Sequence, residues 1–290
     1  MQDYLVRGLA FNGKVRVFGA MTKGIVEELR RRHDLFPVVA AALGRTATGA
    51  LMMGAMLKGE EHLSVRFEGG GPVGKVVAEA NAKGEVRGFV ANPHVELPLN
   101  AKGKLDVAGA VGTDGYMTVI KDLGLREPYH GSSPIVSGEI AEDFTYYFAK
   151  SEQTPSAVAL GVLVDTDYSI RTAGGFIIQL LPGLSDEDVE SIEAELQQLP
   201  PITTLLDQGL EIEQVLERIL KDLEIMERMD LRFACRCSRE KVERSLISLG
   251  KGELNTIADE DKGAELNCHY CNEIYPFTEE ELRGLADQIG

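Results

Sequence analysis

The chain has 290 residues, of which 46 are acidic, 30 basic and 44% hydrophobic, for a formal charge of −16. That length supports one large domain with its own core plus something smaller. The acidic balance argues against a nucleic-acid backbone or an anionic membrane surface as partner, because both are held by clustered Lys and Arg.

The opening, MQDYLVRGLAFNGKVRVFGA, has no basic end, apolar run or small-residue cleavage site, so a cytoplasmic location with reduced thiols is expected. Its apolar and polar residues alternate on both sides of Asn12-Gly13, which predicts a hairpin with a two-residue turn. Thr22 stands where it can cap a helix over KGIVEELRRRH. The apolar stretch Phe36–Leu57 is interrupted by Arg45, Thr46 and Thr48 and is rich in Ala and Gly, the pattern of a closely packed buried helix rather than a membrane span. Alternating runs at HLSVRFEG, KVVAEANAKGEVRGFVAN, KLDVAGAVG and YMTVIKDL predict strands. GEIAEDFTYYFAKSEQ predicts a helix, and SAVALGVLVDTD and SIRTAGGFIIQLLP two strands apolar enough to be buried on both faces. Strands in runs with helices inserted point to an α+β fold for residues 1–184. EGGGPVGK is not a phosphate loop, since Val76 follows Lys75 where a Ser or Thr is required, and nucleotide dependence is not supported.

Residues 185–230 differ in texture. They carry 14 acidic residues against Arg218, Lys221 and Arg228. Ser185 and Asp188 form a capping box for a helix that Pro200-Pro201 stops, and a second helix from Glu211 places Ile212, Val215, Leu216, Ile219, Leu220 and Leu223 on one face. Helices of this length are marginal alone, so this acidic helical linker must dock its apolar face to stay folded. It reads equally as an ordinary connector with a solvated face or as a conditional element.

Residues 231–290 offer little core. Ser238 caps REKVERSLISL, Gly250 ends it, KGELNTIADEDKGAE reads as a polar loop, LNCHYCNEIYPF as strand, knuckle and strand, and Thr278 with Glu281 boxes a last helix. All four cysteines of the chain lie here, as C-x-C at Cys235 and Cys237 and C-x-x-C at Cys268 and Cys271, with 30 residues between the pairs. Two short pairs supply the four soft ligands of tetrahedral zinc, each pair holding one edge, with His269 a possible nitrogen alternative. Arg236, Arg239, Lys241 and the start of the Ser238-capped helix favour a thiolate at Cys237. In so small a unit, folding and metal binding are one equilibrium. Thiolates are also what peroxide-type oxidants attack, and each cysteine has a neighbouring thiol with which to condense. A purely structural zinc knuckle, a zinc-ribbon binding module, a thiol switch and a dithiol oxidoreductase all remain open on spacing alone. The last lacks the strand-helix-strand context that usually precedes C-x-x-C. His33, His62, His94 and His130 are dispersed and suggest no second metal site.

The stretches YLVRGLA, EPYHGSSPIVSGEIAEDFTYYFAKSEQTPSA, AGGFIIQLLPG, CRCSREKVERSLISLG and CHYCNEIYPF resemble the redox-regulated heat-shock chaperones of the 33-kDa chaperonin family, along essentially the whole chain. The resemblance implies an N-terminal α+β core domain (1–184), a helical linker (185–230) and a C-terminal redox-sensing zinc domain (231–290). It also implies a cytosolic holdase, not an enzyme, that works without ATP, is inactive when reduced with one zinc bound, and dimerises when oxidised to hold unfolded client proteins. Carried over residue by residue, Cys235, Cys237, Cys268 and Cys271 are the zinc ligands, and the disulfides of the active form are Cys235–Cys237 and Cys268–Cys271. The linker stripe Val215, Leu216, Ile219, Leu220 and Leu223, extended by Met226 and Met229, is the expected client-binding surface, because undocking would free it.

Overall fold

The computed structural model describes residues 2–289. It divides into two compact units that meet in the chain between Ala234 and Cys235.

The first unit begins with the hairpin of β1 (Tyr4–Ala10) and β2 (Val15–Met21), paired from Tyr4 with Met21 to Ala10 with Val15. The pairing leaves four residues in the loop rather than two, and Phe11, Asn12 and Gly13 all take positive φ, at 51°, 54° and 82°. Asn-Gly sits at the centre of the loop, but the turn is one residue wider on each side.

Helix α1 (Lys23–His33) follows Thr22, yet Thr22 is not its side-chain cap. Thr22 is fully buried and its hydroxyl bonds Thr48 Oγ1 at 2.7 Å. The cap comes from far back in the chain: Gly24 N–H and Ile25 N–H donate to the Asp3 carboxylate at 2.9 and 2.5 Å. A buried hydroxyl must find a partner inside, and an anion at a helix N-terminus is favoured by the helix dipole.

Helix α2 (Pro37–Gly54) starts on a proline and is buried over nearly its whole length, with the hydroxyls of Thr46 and Thr48 bonded back to the Ala42 and Gly44 carbonyls. It packs against both sheets of the unit. One is built on β3 (His62–Glu68), β4 (Lys75–Asn81), β5 (Glu85–Val90), β6 (Tyr116–Asp122) and β7 (Tyr129–Pro134). The other adds β8 (Ser156–Val164) and β9 (Ile170–Leu180) to the opening hairpin. The strand expected at KLDVAGAVG is instead a short helix, α3 (Val107–Val111), because Asp106 caps it by accepting from Gly109 N–H at 3.0 Å. Val107, Ala110 and Val111 then share one buried face at helical spacing. Strand β7 carried no apolar alternation, being a polar sheet edge. Helix α4 (Ala141–Lys150) forms where expected; the Asp143 carboxylate gathers the N–H groups of Val136, Ser137 and Ile140.

Strand β9 is buried on both faces, as its composition predicts. Leu5, Phe18 and Ile177 face α2, while Tyr4, Val6, Val17, Phe176 and Ile178 belong to a second core on the other side of the same sheet. That second core is closed by residues 185–219: α5 (Asp186–Gln198), opened by the Ser185–Asp188 box, α6 (Ile202–Asp207) and α7 (Ile212–Ile219). Gly19 lets α7 approach, since a Cβ there would meet Ile212 Cγ1 at 2.7 Å and Leu216 Cδ1 at 2.9 Å.

The segment is not helical to its end. Glu224–Asp230 forms β10, antiparallel to β1, so the sheet order is β10-β1-β2-β9-β8. Arg232–Phe233 forms β11 and extends the other sheet in parallel beside β5, giving β11-β5-β4-β3-β6-β7. Residues 224–233 thus cross from the edge of one sheet to the edge of the other.

The second unit contains α8 (Arg239–Ile247), α9 (Lys251–Glu260), the hairpin β12 (Gly263–Asn267) with β13 (Ile274–Thr278), and α10 (Glu279–Asp287). Its buried core is Leu246, Leu254, Ala258, Phe277, Leu282, Leu285 and Ala286. Helix α9 occupies the expected polar loop: Leu254 and Ala258, four apart, turn one small apolar face inward. The predicted Ser238 cap and Thr278–Glu281 box are both present.

Candidate metal centre

Two local structures carry the sulfurs. Cys235 and Cys237 lie on the short segment between β11 and α8, where the Ser238 hydroxyl accepts the Lys241 N–H. Cys268 and Cys271 occupy the turn between β12 and β13. There Cys268 N–H bonds Glu273 O at 3.0 Å, Cys271 and Asn272 N–H bond Cys268 O at 3.3 and 2.8 Å, and Asn272 takes the left-handed φ of 58° that closes the knuckle.

The four Sγ atoms lie within 4.8 Å of one another, and His269 is not part of the group. The Cys235–Cys268 contact is 3.7 Å and the Cys237–Cys271 contact 3.3 Å, each across the two knuckles. Zinc with sulfur at about 2.3 Å has tetrahedral edges of about 3.8 Å, so the set fits a metal of that size and softness. Cys271 is buried and the other three half-buried.

The protons of the cluster are shared unequally. Burial pushes the Cys268 and Cys271 thiols up, and neighbouring sulfurs push Cys271 further. At Cys235 burial opposes ionisation but is outweighed by the Cys237 N–H and by the other three sulfurs, which bring it down to about 7. Cys235 therefore gives up its proton more readily than Cys268 or Cys271. A divalent cation resolves that competition, because a coordinating thiol is deprotonated outright.

Two features escaped the sequence reading. Tyr275 on β13 donates its hydroxyl to Cys237 Sγ at 3.1 Å, and its only signal was an aromatic four residues after the last cysteine. Two of the three cations expected to favour the Cys237 thiolate, Arg239 and Lys241, have partners outside the cluster. Arg239 bonds Pro276 O at 2.9 Å and Glu281 at 2.6 Å and lies over the Phe277 ring, while Lys241 bonds the Arg236 carbonyl.

The linker stripe is placed in the first unit. Val215, Leu216, Ile219 and Leu220 are buried in the second core and Leu223 is half-buried against it, whereas Met226 on β10 is 60% exposed. A cluster missed by sequence pins this layer: Tyr4 donates to Glu213 Oε2 at 2.6 Å, Arg228 pairs with Glu213 at 3.2 Å, and the Arg228 guanidinium lies 3.6 Å from the Tyr4 ring centroid. It joins β1, α7 and β10.

Comparison with known proteins agrees over the full length. A family described as Hsp33 protein matches residues 3–278. The 33 kDa chaperonin of Bacillus licheniformis is 54% identical over 288 residues, covering 99% of this chain and all of that one, and the 33 kDa chaperonin of Bacillus cereus (strain B4264) is 52% identical with full coverage of both. The crystal structure of the 33 kDa chaperonin (heat shock protein 33 homolog) from Thermotoga maritima superposes with a TM-score of 0.94 at 43% identity, covering 99% of each chain. Among the described residues no helix is long and apolar enough to cross a membrane.

Proposed function

This chain belongs to the Hsp33 family of stress-response chaperones, and on that premise we propose that it is a redox-switched, ATP-independent holdase of the cytoplasm rather than an enzyme. Cys235, Cys237, Cys268 and Cys271 hold one zinc as thiolates in the resting, reduced protein. A bound ion would cross-link the two knuckles of a unit whose own buried core is seven side chains among the described residues, Phe277 the only large one. The observation that carries this reading is that conjunction of a four-sulfur cluster with too little hydrophobic core to replace it.

Oxidation takes two electrons from each dithiol. With peroxide as oxidant, Cys235–Cys237 and Cys268–Cys271 become disulfides, two peroxides are reduced to water, and the sulfurs lose their capacity as charged ligands. The second unit then unfolds. Ala234 N–H bonds Val86 O one residue before Cys235, so a chain pulled loose there works directly on β11 and then β10. Strand β10 buries none of its side chains fully and is held by backbone bonds, exposed ion pairs and the Tyr4–Glu213–Arg228 cluster, which makes it the weakest edge of its sheet. Its release frees α7. Undocking uncovers the stripe Val215, Leu216, Ile219, Leu220 and Leu223 together with the sheet face of Tyr4, Val6, Val17, Phe176 and Ile178, an apolar surface for unfolded clients and for a second copy in an oxidised homodimer.

The test is light scattering from a thermally unfolding client, mixed with the protein either reduced and zinc-loaded or oxidised with peroxide at raised temperature. Suppression by the oxidised form alone, reversed by a thiol reductant, is the expected result. Equal suppression by both forms would reduce the cysteines to a structural knuckle.

A further inference from the structure

Three of the four sulfurs receive hydrogen bonds from the backbone of their own knuckle: Cys235 from the Cys237 N–H, Cys268 from those of Tyr270 and Cys271, and Cys271 from that of Glu273. Such bonds travel with the local turn, so each sulfur keeps its donor wherever the knuckle goes. Cys237 is served differently. Its donor is the Tyr275 hydroxyl, 38 residues away on β13, at 3.1 Å. The Tyr275 ring packs against the small core of the unit, and Leu266 pairs with it across the hairpin, so the hydroxyl is aimed by groups outside the sulfur cluster. Two residues on, the same strand makes a parallel tie, with the Arg239 guanidinium 4.3 Å from the centroid of Phe277.

We infer that Tyr275 is a positioning residue of the metal centre: its O–H···S bond orients Cys237 toward the other three sulfurs and favours it as a metal ligand, setting both metal affinity and resistance to oxidation. The inference rests on the reading of the four cysteines as metal ligands. An O–H bond to a thiolate is charge-assisted and is about twice as strong as one to a neutral sulfur. A disulfide sulfur carries no charge, so the bond favours the reduced, metal-holding form over the oxidised one. With glutathione disulfide as oxidant, the Cys235 and Cys237 thiolates give up two electrons and form one S–S bond, the S–S bond of glutathione breaks, and two glutathione thiolates leave. Tyr275 opposes this exchange without taking part in it. Partners that orient metal ligands are typically worth 10- to 100-fold in affinity.

The full-length reduced protein and its Tyr275→Phe variant, which keeps the ring, are compared in three measurements. Zinc competition against a chromophoric chelator is expected to show about tenfold weaker binding for the variant. Its cobalt(II) form should show a shifted sulfur-to-metal charge-transfer band. Titration with glutathione redox buffers, read by alkylation and mass, should place the Cys235–Cys237 midpoint about 30 mV lower, the equivalent of that tenfold change. Arg239→Ala, which cuts the neighbouring tie and leaves the hydroxyl, should leave the cobalt band in place. If it moves the band as Tyr275→Phe does, general loosening explains the effect and the inference falls. Should Tyr275→Phe not fold, 3-fluorotyrosine at position 275, a more acidic donor, is expected to tighten zinc and raise the midpoint, and no movement overturns the assignment. A variant indistinguishable from a wild type that does bind zinc overturns Tyr275 alone, whereas a wild type that takes up neither zinc nor cobalt overturns the metal reading and this inference with it.

Discussion

Helices α2 and α7 are both apolar and both buried, but they are buried in different ways. Helix α2 lies against two sheets and is covered on all sides, so its removal would open the whole first unit. Helix α7 buries Ile212, Val215, Leu216 and Ile219 against the outer face of one sheet, and its other face is polar. On the proposed switch it is the layer that leaves, and the core on the far side of the sheet is built from other side chains. The difference shows how one polypeptide builds two separate cores on the two sides of a single sheet, with Leu5, Phe18 and Ile177 serving the first and Val6, Val17 and Phe176 the second. Burial fraction alone does not separate them; what counts is how many elements must move for the side chain to reach water.

The contrast can be broken or sharpened by experiment, with amide exchange of α2 and α7 as the common readout. The largest effect is expected from treating the reduced protein with a zinc chelator, which on the proposed reading withdraws on the order of 10–16 kcal/mol from the second unit. Exchange should become fast in residues 235–290 and then in β10 and α7, while α2 stays protected. Loss of protection in α2 at the same time would mean that the two layers are one cooperative unit.

Leu216→Ala should weaken docking by about 2–5 kcal/mol, because Leu216 is fully buried. Exposed apolar surface, read by a hydrophobic dye, should then appear already in the reduced protein, before any oxidation. The charged pair Leu216→Glu with Leu220→Glu should release the layer outright and, after oxidation, reduce client holding if the stripe contacts clients; unchanged holding would assign that role to the sheet face instead. Gly19→Ala acts on the same contact from the sheet side. A methyl meeting Ile212 at 2.7 Å overpacks the interface by about 1–3 kcal/mol, and α7 should exchange faster with no change in α2.

The Tyr4 hydroxyl provides a pH test. Burial, first, and then the bond to Glu213 raise its pKa above the phenol value of about 10. A proton held more tightly in the folded state stabilises it fully below pH about 10, and that contribution is lost as the pH rises past that value. Docking of α7 should therefore weaken in alkaline buffer in the native protein and do so less in Tyr4→Phe. The smallest effect is expected for Arg7→Ala. The Arg7–Glu227 pair between β1 and β10 leaves both side chains nearly half exposed, at 48% and 44%, and such pairs contribute about 0–1 kcal/mol. A larger loss would make that ion pair part of the latch.

Local chemistry was legible wherever a few adjacent residues decide the outcome. The Ser185, Ser238 and Thr278 caps, the paired cysteines, the buried character of α2 and β9 and the apolar stripe of α7 all follow from spacings of two to four residues. The misreadings share one cause, which is a distant partner overriding a local preference. Thr22 looked like a cap until the core claimed its hydroxyl and Asp3 supplied the carboxylate. KLDVAGAVG alternates like a strand, but Asp106 and the packing of Val107 and Val111 make it helical. EIMERMD reads as the end of an amphipathic helix, yet the free edge of β1 offers it a ladder of backbone bonds and turns it into a strand.

By itself, then, the sequence determined the inventory: an α+β core, an acidic segment with a stripe that has to be covered, and four thiols in two pairs able to bind a metal. Helix periodicity, capping and ligand spacing are properties of neighbouring residues and survive without a tertiary structure. Only the folded chain decided which surfaces meet. It set the stripe of α7 on the back of the first core, ran β10 and β11 from one sheet edge to the other just before Cys235, and brought Tyr275 to Cys237 and Tyr4 to Glu213 across 38 and 209 residues of chain. Contacts at such separations carry no periodic signal, because loop closure between distant segments is governed by the packing of the whole chain rather than by any window within it.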